Sequence, residues 1–371
     1  MNNRERALAI LNYENYDRMP LVHFGYWRET LAKWAQEGHI EKGIDKKWRD
    51  GNDIDMEIST KLGFDFNWSN NYSSHLYLKP SFEMRVIEDM GNGMTKVMDP
   101  NGVIVLHKEN TTSIPAEIDH TLKDRATWEK YYLPKLQYSD DRIDIDRLNT
   151  YTKQEDREVP LALYCGSLYG LIRNILGVVG ISYLAVDDEE LYTEIIDTVA
   201  DLQYKVVKKT LETGFKFDYG HFWEDICFKN GPLVSPKVFD EKVGPHYKRV
   251  TDLLKEYDIN IVSLDCDGKI DELIPTWLNN GVNTMFPIEV GTWNANIAPW
   301  REQYGKSLRG VGGMNKVVFS KDYKAIDEEI ERLKRLVDLG GYIPCPDHRI
   351  APDAKWENVQ YYCEKMHKEF D

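Results

Sequence analysis

Cysteine is scarce in this chain: five among 371 residues (Cys165, Cys227, Cys266, Cys345, Cys363), odd in number, widely spaced and without a C-x-x-C pair. That pattern argues against a disulfide scaffold and for a reducing, cytoplasmic setting. Basic residues are also short, 47 against 62 acidic ones, for a net charge of −15. Nucleic-acid and anionic-membrane surfaces need clustered lysine and arginine, so neither partner is expected. No apolar run approaches the length of a bilayer span, and the opening MNNRERALAIL reads as a charged amphipathic helix, not a secretion signal. Nucleotide signatures are missing too: no G-x-G-x-x-G follows a strand and there is no P-loop. Without repeats, low-complexity segments or flexible linkers, residues 1–371 read as one domain.

What is present can build a large core, with 42% hydrophobic, 12% aromatic and 29% charged residues. Asn2 and Glu5 resemble a capping box ahead of Ala7, Ile10 and Leu11. LVHFGYW and GFDFNW are early strand candidates. From Phe82 to His107, alternating runs broken by Gly91-Asn92-Gly93 and Asp99-Pro100-Asn101-Gly102 predict a small antiparallel β excursion. After Val159 strands and helices alternate. VPLALYC, KFDYGHFW, NIVSLD, VNTMFPIE, LRGVGG and GYIP read as strands. Between them lie a long helical region reaching Gly214, a helix opened by Ser235-Pro236, one marked by Ile270, Leu273, Ile274 and Trp277, and one capped by Ser320. Asp353 caps a last helix carrying Val359, Tyr362, Cys363 and Met366. Eight strands, six of them alternating with helices, predict an α/β fold: a (β/α)8 TIM barrel with an N-terminal helical extension, in preference to an open doubly wound sheet.

In such a barrel the loops at the carboxyl ends of the strands build the site. That rule selects His221, Trp223, Glu224 and Asp225 after one strand and Asp265-Cys266-Asp267-Gly268 after the next. Glu289, Met314-Asn315, and finally Cys345, Asp347 and His348 follow later strands. Simpler roles stand beside these. Glu224 and Asp225 also suit a helix start, Asp265 and Asp267 suit capping, and Cys266 and Cys345 suit packing. Two acids at alternate positions face one side of an extended segment, which capping does not require. Tyr169 and Arg173, early in the long helical region, read as pocket wall or partly solvated surface. His348 stands between two prolines in a short loop, with the least around it to explain its presence.

Several segments then resemble a known family. They are Arg18-Met-Pro20, Gly231-Pro-Leu-Val-Ser-Pro236 with Phe239, Gly312-Gly-Met-Asn315, and His348-Arg-Ile-Ala-Pro352 ahead of Glu357-Asn358-Val359. In order, over nearly the whole chain, they resemble the uroporphyrinogen decarboxylase superfamily. The resemblance implies a (β/α)8 barrel and one of two chemistries, decarboxylation or corrinoid-dependent methyl transfer. The decarboxylases follow Arg-x-Pro with an Arg-Gln-Ala-Gly-Arg run that binds the acetate and propionate groups of the tetrapyrrole. Here that stretch is His23-Phe-Gly-Tyr-Trp-Arg-Glu29, and the family's Phe-Ser-Asp is echoed only by Gly63-Phe-Asp65. A highly anionic substrate needs several guanidinium partners, and a rim rich in Glu and Asp repels it. The methyltransferases hold zinc with His-x-Cys-Gly and a later Cys. Asp265-x-Asp267-Gly268 stands in the first place and His348 in the second, with the thiolates replaced.

The resemblance thus implies a corrinoid-linked methyltransferase for a small methylated substrate or methyl acceptor, the corrinoid carried by a partner protein. A divalent metal, zinc first, is expected on Asp265, Asp267, Glu289 and His348, although carboxylate ligands also suit harder ions. Glu224, Asp225, Asp267 and His348 are the expected catalytic residues. His221, Trp223, Tyr169, Arg173 and Glu289 are expected to line the substrate. Two alternatives stay open: decarboxylation of uroporphyrinogen or a smaller acid, without metal or corrinoid, and a barrel that only binds a ligand or partner. A homodimer is compatible with all three.

Overall fold

A computed structural model describes residues 1–108 and 115–370. Short apolar runs bounded by glycine, proline and asparagine form the parallel strands. The first are β1 (Val22–His23), β2 (Phe66–Asn67) and β3 (Asn71–Tyr72). An antiparallel sheet of β4 (Arg85–Gly91), β5 (Met94–Met98), β6 (Val103–Lys108) and β7 (Ala116–His120) follows, in the order β4-β5-β6-β7. The chain then returns to parallel pairing with β8 (Ala162–Gly166) and β9 (Tyr219–Trp223). After a small hairpin, β10 (Cys227–Phe228) with β11 (Gly231–Pro232), come β12 (Val262–Asp265), β13 (Thr284–Phe286), β14 (Arg309–Met314) and β15 (Tyr342–Pro346). β12, β13 and β15 are buried throughout, as parallel strands covered on both faces should be.

The parallel sheet runs β3-β8-β9-β12-β13-β14-β15. Its second position is interrupted: β2 pairs with β1, and four residues on from Asn67 the same stretch resumes as β3 to pair with β8. The ring closes between β15 and β1 through a bridge from Tyr26 to Ile350. There the Ile350 amide donates to the Gly25 carbonyl at 3.0 Å and the Trp27 amide to the Ile350 carbonyl at 3.1 Å. Counting the broken strand once gives eight positions, so the fold is the predicted (β/α)8 barrel. Buried apolar side chains from Ala7 to Met366 form one cluster.

The helices follow their apolar spacing. Leu191, Ile195, Val199, Leu202 and Val206 are buried along Glu189–Glu212, and Ile326, Ile330, Leu333 and Val337 along Tyr323–Val337. Several boundaries differ from expectation. Asp322, not Ser320, caps Tyr323–Val337, its carboxylate accepting from the Ala325 amide, while the Ser320 hydroxyl donates to the Val317 carbonyl. The last helix, Trp356–Phe370, begins beyond Asp353. Ile270 and Leu273 are buried ahead of the helix Ile274–Asn279, not within it. The antiparallel excursion extends past His107 to His120. Helix Gly170–Asp187 has the length and composition of a bilayer span, contrary to the expectation that no run reached it. It is broken at Gly177, where φ is 69° and ψ 162°.

Two buried arginines brace the layers that hold the barrel mouth. Arg142 has no carboxylate within ion-pair distance among the described residues and donates to four carbonyls, those of His75, Tyr77, Lys135 and Gln137, at 2.7–3.0 Å. Arg157 donates to Asp218 at 2.7 Å, and the same carboxylate accepts from Arg4 and from the Leu161 amide, fixing the start of β8 against β9. Arg18, of the Arg-x-Pro motif, makes a two-pronged pair with Asp65 at 2.7 Å for each bond, so both motif residues serve the frame.

Candidate active site

Strands β9, β12 and β15 end on the residues that matter most. β12 delivers Asp265 and, after the buried Cys266, Asp267. Asp225 follows β9 in a left-handed conformation, φ 48°, which aspartate tolerates better than most residues and which turns its side chain across the mouth. One carboxylate oxygen each from Asp225, Asp265 and Asp267 lies within 4.8 Å of the other two. His348, just past β15, brings Nε2 to 3.2 Å from the Asp267 carboxylate. The imidazole is held by its neighbours. Trp27 stacks on it at a centroid distance of 5.7 Å and 14° between planes, and Phe24 tilts against it at 5.5 Å.

These four residues open into a cavity of about 620 Å3, together with Trp27, Phe24, Trp223, Tyr164 and His221. The electrostatics are those of crowded acids. Burial, then the nearby Asp267 carboxylate, pushes Asp225 up to about 6. Asp265 is raised further by its deeper burial and by Asp225 and Asp267. Like charges this close cannot all be ionised without a proton or a cation among them. Two buried atoms here have no hydrogen-bond partner, Asp267 Oδ1 and His348 Nδ1. A buried carboxylate oxygen left unpaired is costly. Bonds of about 2.0–2.6 Å to one ion place ligand atoms up to about 5 Å apart, so the three carboxylates suit a shared divalent cation.

His221 is buried on β9, and burial lowers its pKa to about 4, which keeps it neutral near pH 7. Its Nδ1 also lacks a partner, which leaves a hydrogen-bonding atom in the cavity wall.

Three expected site residues stand elsewhere. Glu224 is fully buried behind β9 and accepts from Ser167 Oγ, from the amides of Leu168, Tyr169 and Gly170, and from the Tyr247 hydroxyl. It therefore stitches the end of β9 to the start of helix Gly170–Asp187, which follows β8, and does not face the cavity. Only glycine fits at Gly170, because a Cβ would lie 2.0 Å from the Glu224 carbonyl. Tyr169 packs in the same layer, accepting from the Tyr192 hydroxyl at 3.0 Å. Glu289, expected as a ligand, accepts from the Gly268 amide at 2.6 Å and the Thr292 hydroxyl at 2.9 Å, so Asp225 takes its place in the acidic group. Gly268 has φ 87° and backs onto the Cys227 carbonyl, fixing the turn that Glu289 anchors.

The remaining candidates act through others. Arg173 lies over the Trp223 ring at 5.8 Å and donates to the Asp225 carbonyl at 2.9 Å. Asp347 accepts from the amides of Gly291 and Lys316, tying two loops together. Cys266 and Cys345 are buried and desolvation raises both thiols well above their usual range, so they are packing residues. Sequence reasoning missed Trp27, Phe24, Arg349 and Asp50. Arg349 pairs with Asp50 through two bonds of 2.8 and 3.1 Å at the cavity edge. The run His348-Arg349 held a signal for that pair; nothing local marked the aromatics as site residues.

Comparison with known proteins bears on the chemistry only in outline. No curated protein matches the chain by sequence. Among solved structures, a methyltransferase from Methanosarcina mazei superposes with a TM-score of 0.60 at 14% identity, covering 100% of this chain and 99% of that one. At that identity the likeness shows the fold. A Listeria monocytogenes structure named as a vitamin-B12-independent methionine synthase overlaps less, with a TM-score of 0.42 at 12% identity, over 95% of this chain and 99% of the other. The sequence profile described as Uroporphyrinogen decarboxylase (URO-D) matches residues 103–369, from β6 through the terminal helix and so across Asp225, Asp265, Asp267 and His348. With more than half of its length matched in that way, the chain belongs to the uroporphyrinogen decarboxylase family.

Proposed function

We propose that the protein is a metal-assisted methyltransferase that works with a corrinoid carried by a partner protein and acts on a small methylated substrate or methyl acceptor. One observation carries the reading: three carboxylates and an imidazole meet at the cavity floor with an unpaired buried oxygen among them. That donor set suits a divalent ion and disfavours a substrate bearing many carboxylates. Asp225, Asp265, Asp267 and His348 would hold the ion, which would supply Lewis-acid polarisation of the oxygen, nitrogen or sulfur that loses or receives the methyl group.

The chain's own residues do the rest. When the methyl group leaves, its former bonding pair stays on the heteroatom, which takes up a proton. That proton comes from solvent at the open side of the cavity, because Asp225, Asp265 and Asp267 stay ionised while they hold the ion. Trp27 and Asp267 fix the His348 ring from its face and its edge. Phe24, Trp27 and Trp223 exclude water and orient the substrate, so catalysis rests on positioning and fixed charge.

Decarboxylation of a smaller acid is the second reading, favoured by family membership itself. The two separate cleanly. Metal content of the purified protein is measured first. Reduced corrinoid protein is then added with a panel of methylated compounds while the cobalt spectrum is followed. About one divalent ion per chain and a methyl-cobalt spectrum with at least one compound are expected. Carbon dioxide release from uroporphyrinogen or a small acid, with no spectral change, would overturn the proposal.

A further inference from the structure

The cavity has a second, oppositely charged end. In a chain of net charge −15, Arg49 and Arg147 line the same cavity as the acidic cluster, and neither has a carboxylate within ion-pair distance among the described residues. Arg49 donates to the carbonyls of Lys46 and Trp48, at 3.2 and 2.6 Å. Arg147 makes only long contacts, 3.4 Å to the Ser73 carbonyl and 3.5 Å to the Tyr151 hydroxyl, and lies over the Tyr72 ring. Each guanidinium carries five N–H donors, so most remain unspent. The adjacent acid, Asp50, is already neutralised by Arg349. Asp53 shares an outer hollow with both arginines but forms no ion pair with either.

Between the two ends runs a polar track. Ser69 lies in the turn before β3, Asn71 opens β3 and Ser73 follows its end, and all three line the cavity. The track begins at Ser73, whose carbonyl accepts from Arg147, and the acidic cluster with His348 stands at the ends of β9, β12 and β15.

We propose that Arg49 and Arg147 form an oxyanion subsite, so that the substrate is a small acid with one anionic group at this end and its methyl-bearing heteroatom at the Asp225–Asp265–Asp267–His348 end. This identification of the substrate class rests on the methyl-transfer reading of the cavity. Guanidiniums without an acidic partner match a carboxylate in geometry and charge.

Benzoate and benzamide, equal in shape and different in charge, serve as probes. Calorimetry on the full chain is expected to give benzoate at least about tenfold tighter binding than benzamide, the size of one charge-assisted hydrogen bond. Arg49→Gln and Arg147→Gln should each lower benzoate affinity by about tenfold and leave benzamide unchanged. Both side chains are exposed, so the variants should fold as the parent does. Failure of benzoate to bind, equal binding of the two probes, or a preference that survives in both variants overturns the subsite. A charge preference that is lost in the variants, in a protein that never alters the cobalt spectrum, upholds the subsite and overturns the methyl-transfer reading instead.

Discussion

Two neighbouring acids, Glu224 and Asp225, part ways: the first is buried in the frame and the second lines the cavity. Glu224 is fully buried and receives five donors, so Glu224→Gln should lower stability by about 2–4 kcal/mol in urea unfolding. Asp225 faces the cavity under repulsion from Asp267, so Asp225→Asn should leave stability level or higher. Asp225→Asn and Asp267→Asn should each lower divalent-ion affinity by more than about a hundredfold, read by metal titration. Unchanged affinity in both would remove the metal from the account. The sequence carried the cluster itself, because acids and a histidine at strand ends must converge in a barrel. It could not separate Glu224 from Asp225. Adjacent residues leave a strand on opposite sides, and which side is open depends on the helix packed behind. The same limit explains Glu289, spent on the Gly268 amide.

Among the elements, the long alternating region after Val159 was legible because apolar spacing and turn residues agreed there. The early part of the barrel was harder. β2 and β3 have two residues each, and only tertiary pairing with β1 and β8 makes them strands. Helix starts were misplaced at Ser320 and Asp353, since several capping residues stand near each other and packing selects among them. Arg142 shows a further limit: a lone arginine in a loop reads as surface, yet this one is buried among four carbonyls. Arg142→Met should cost about 3 kcal/mol, because it strands those acceptors away from water. A loss below about 0.5 kcal/mol in chemical unfolding would mean that those carbonyls find other donors.

At the scale of the whole molecule, the acidic mouth ties stability to pH. Asp225 rises from the ordinary 3.8 to about 6, so the native state binds more protons than the unfolded chain across that window. The metal-free protein should therefore lose stability as pH rises through it. A divalent ion needs the ionised acids, so its stabilising effect should grow over the same interval. Thermal unfolding with and without zinc or manganese, at about pH 5 and about pH 7, checks both signs. An equal metal-induced shift at the two values would contradict them. The way the ring is fastened carries a last consequence. Most of its circumference is continuous ladder, but between β15 and β1 it is held by one bridge and the bonds around Ile350. A hoop with one weak clasp springs there first, and the lips of this clasp bear Trp27 and His348. Amide hydrogens of Trp27 and Ile350 should exchange with deuterated water sooner than those inside β9 and β12, so one wall of the cavity sits on the part of the hoop freest to yield to whatever enters it.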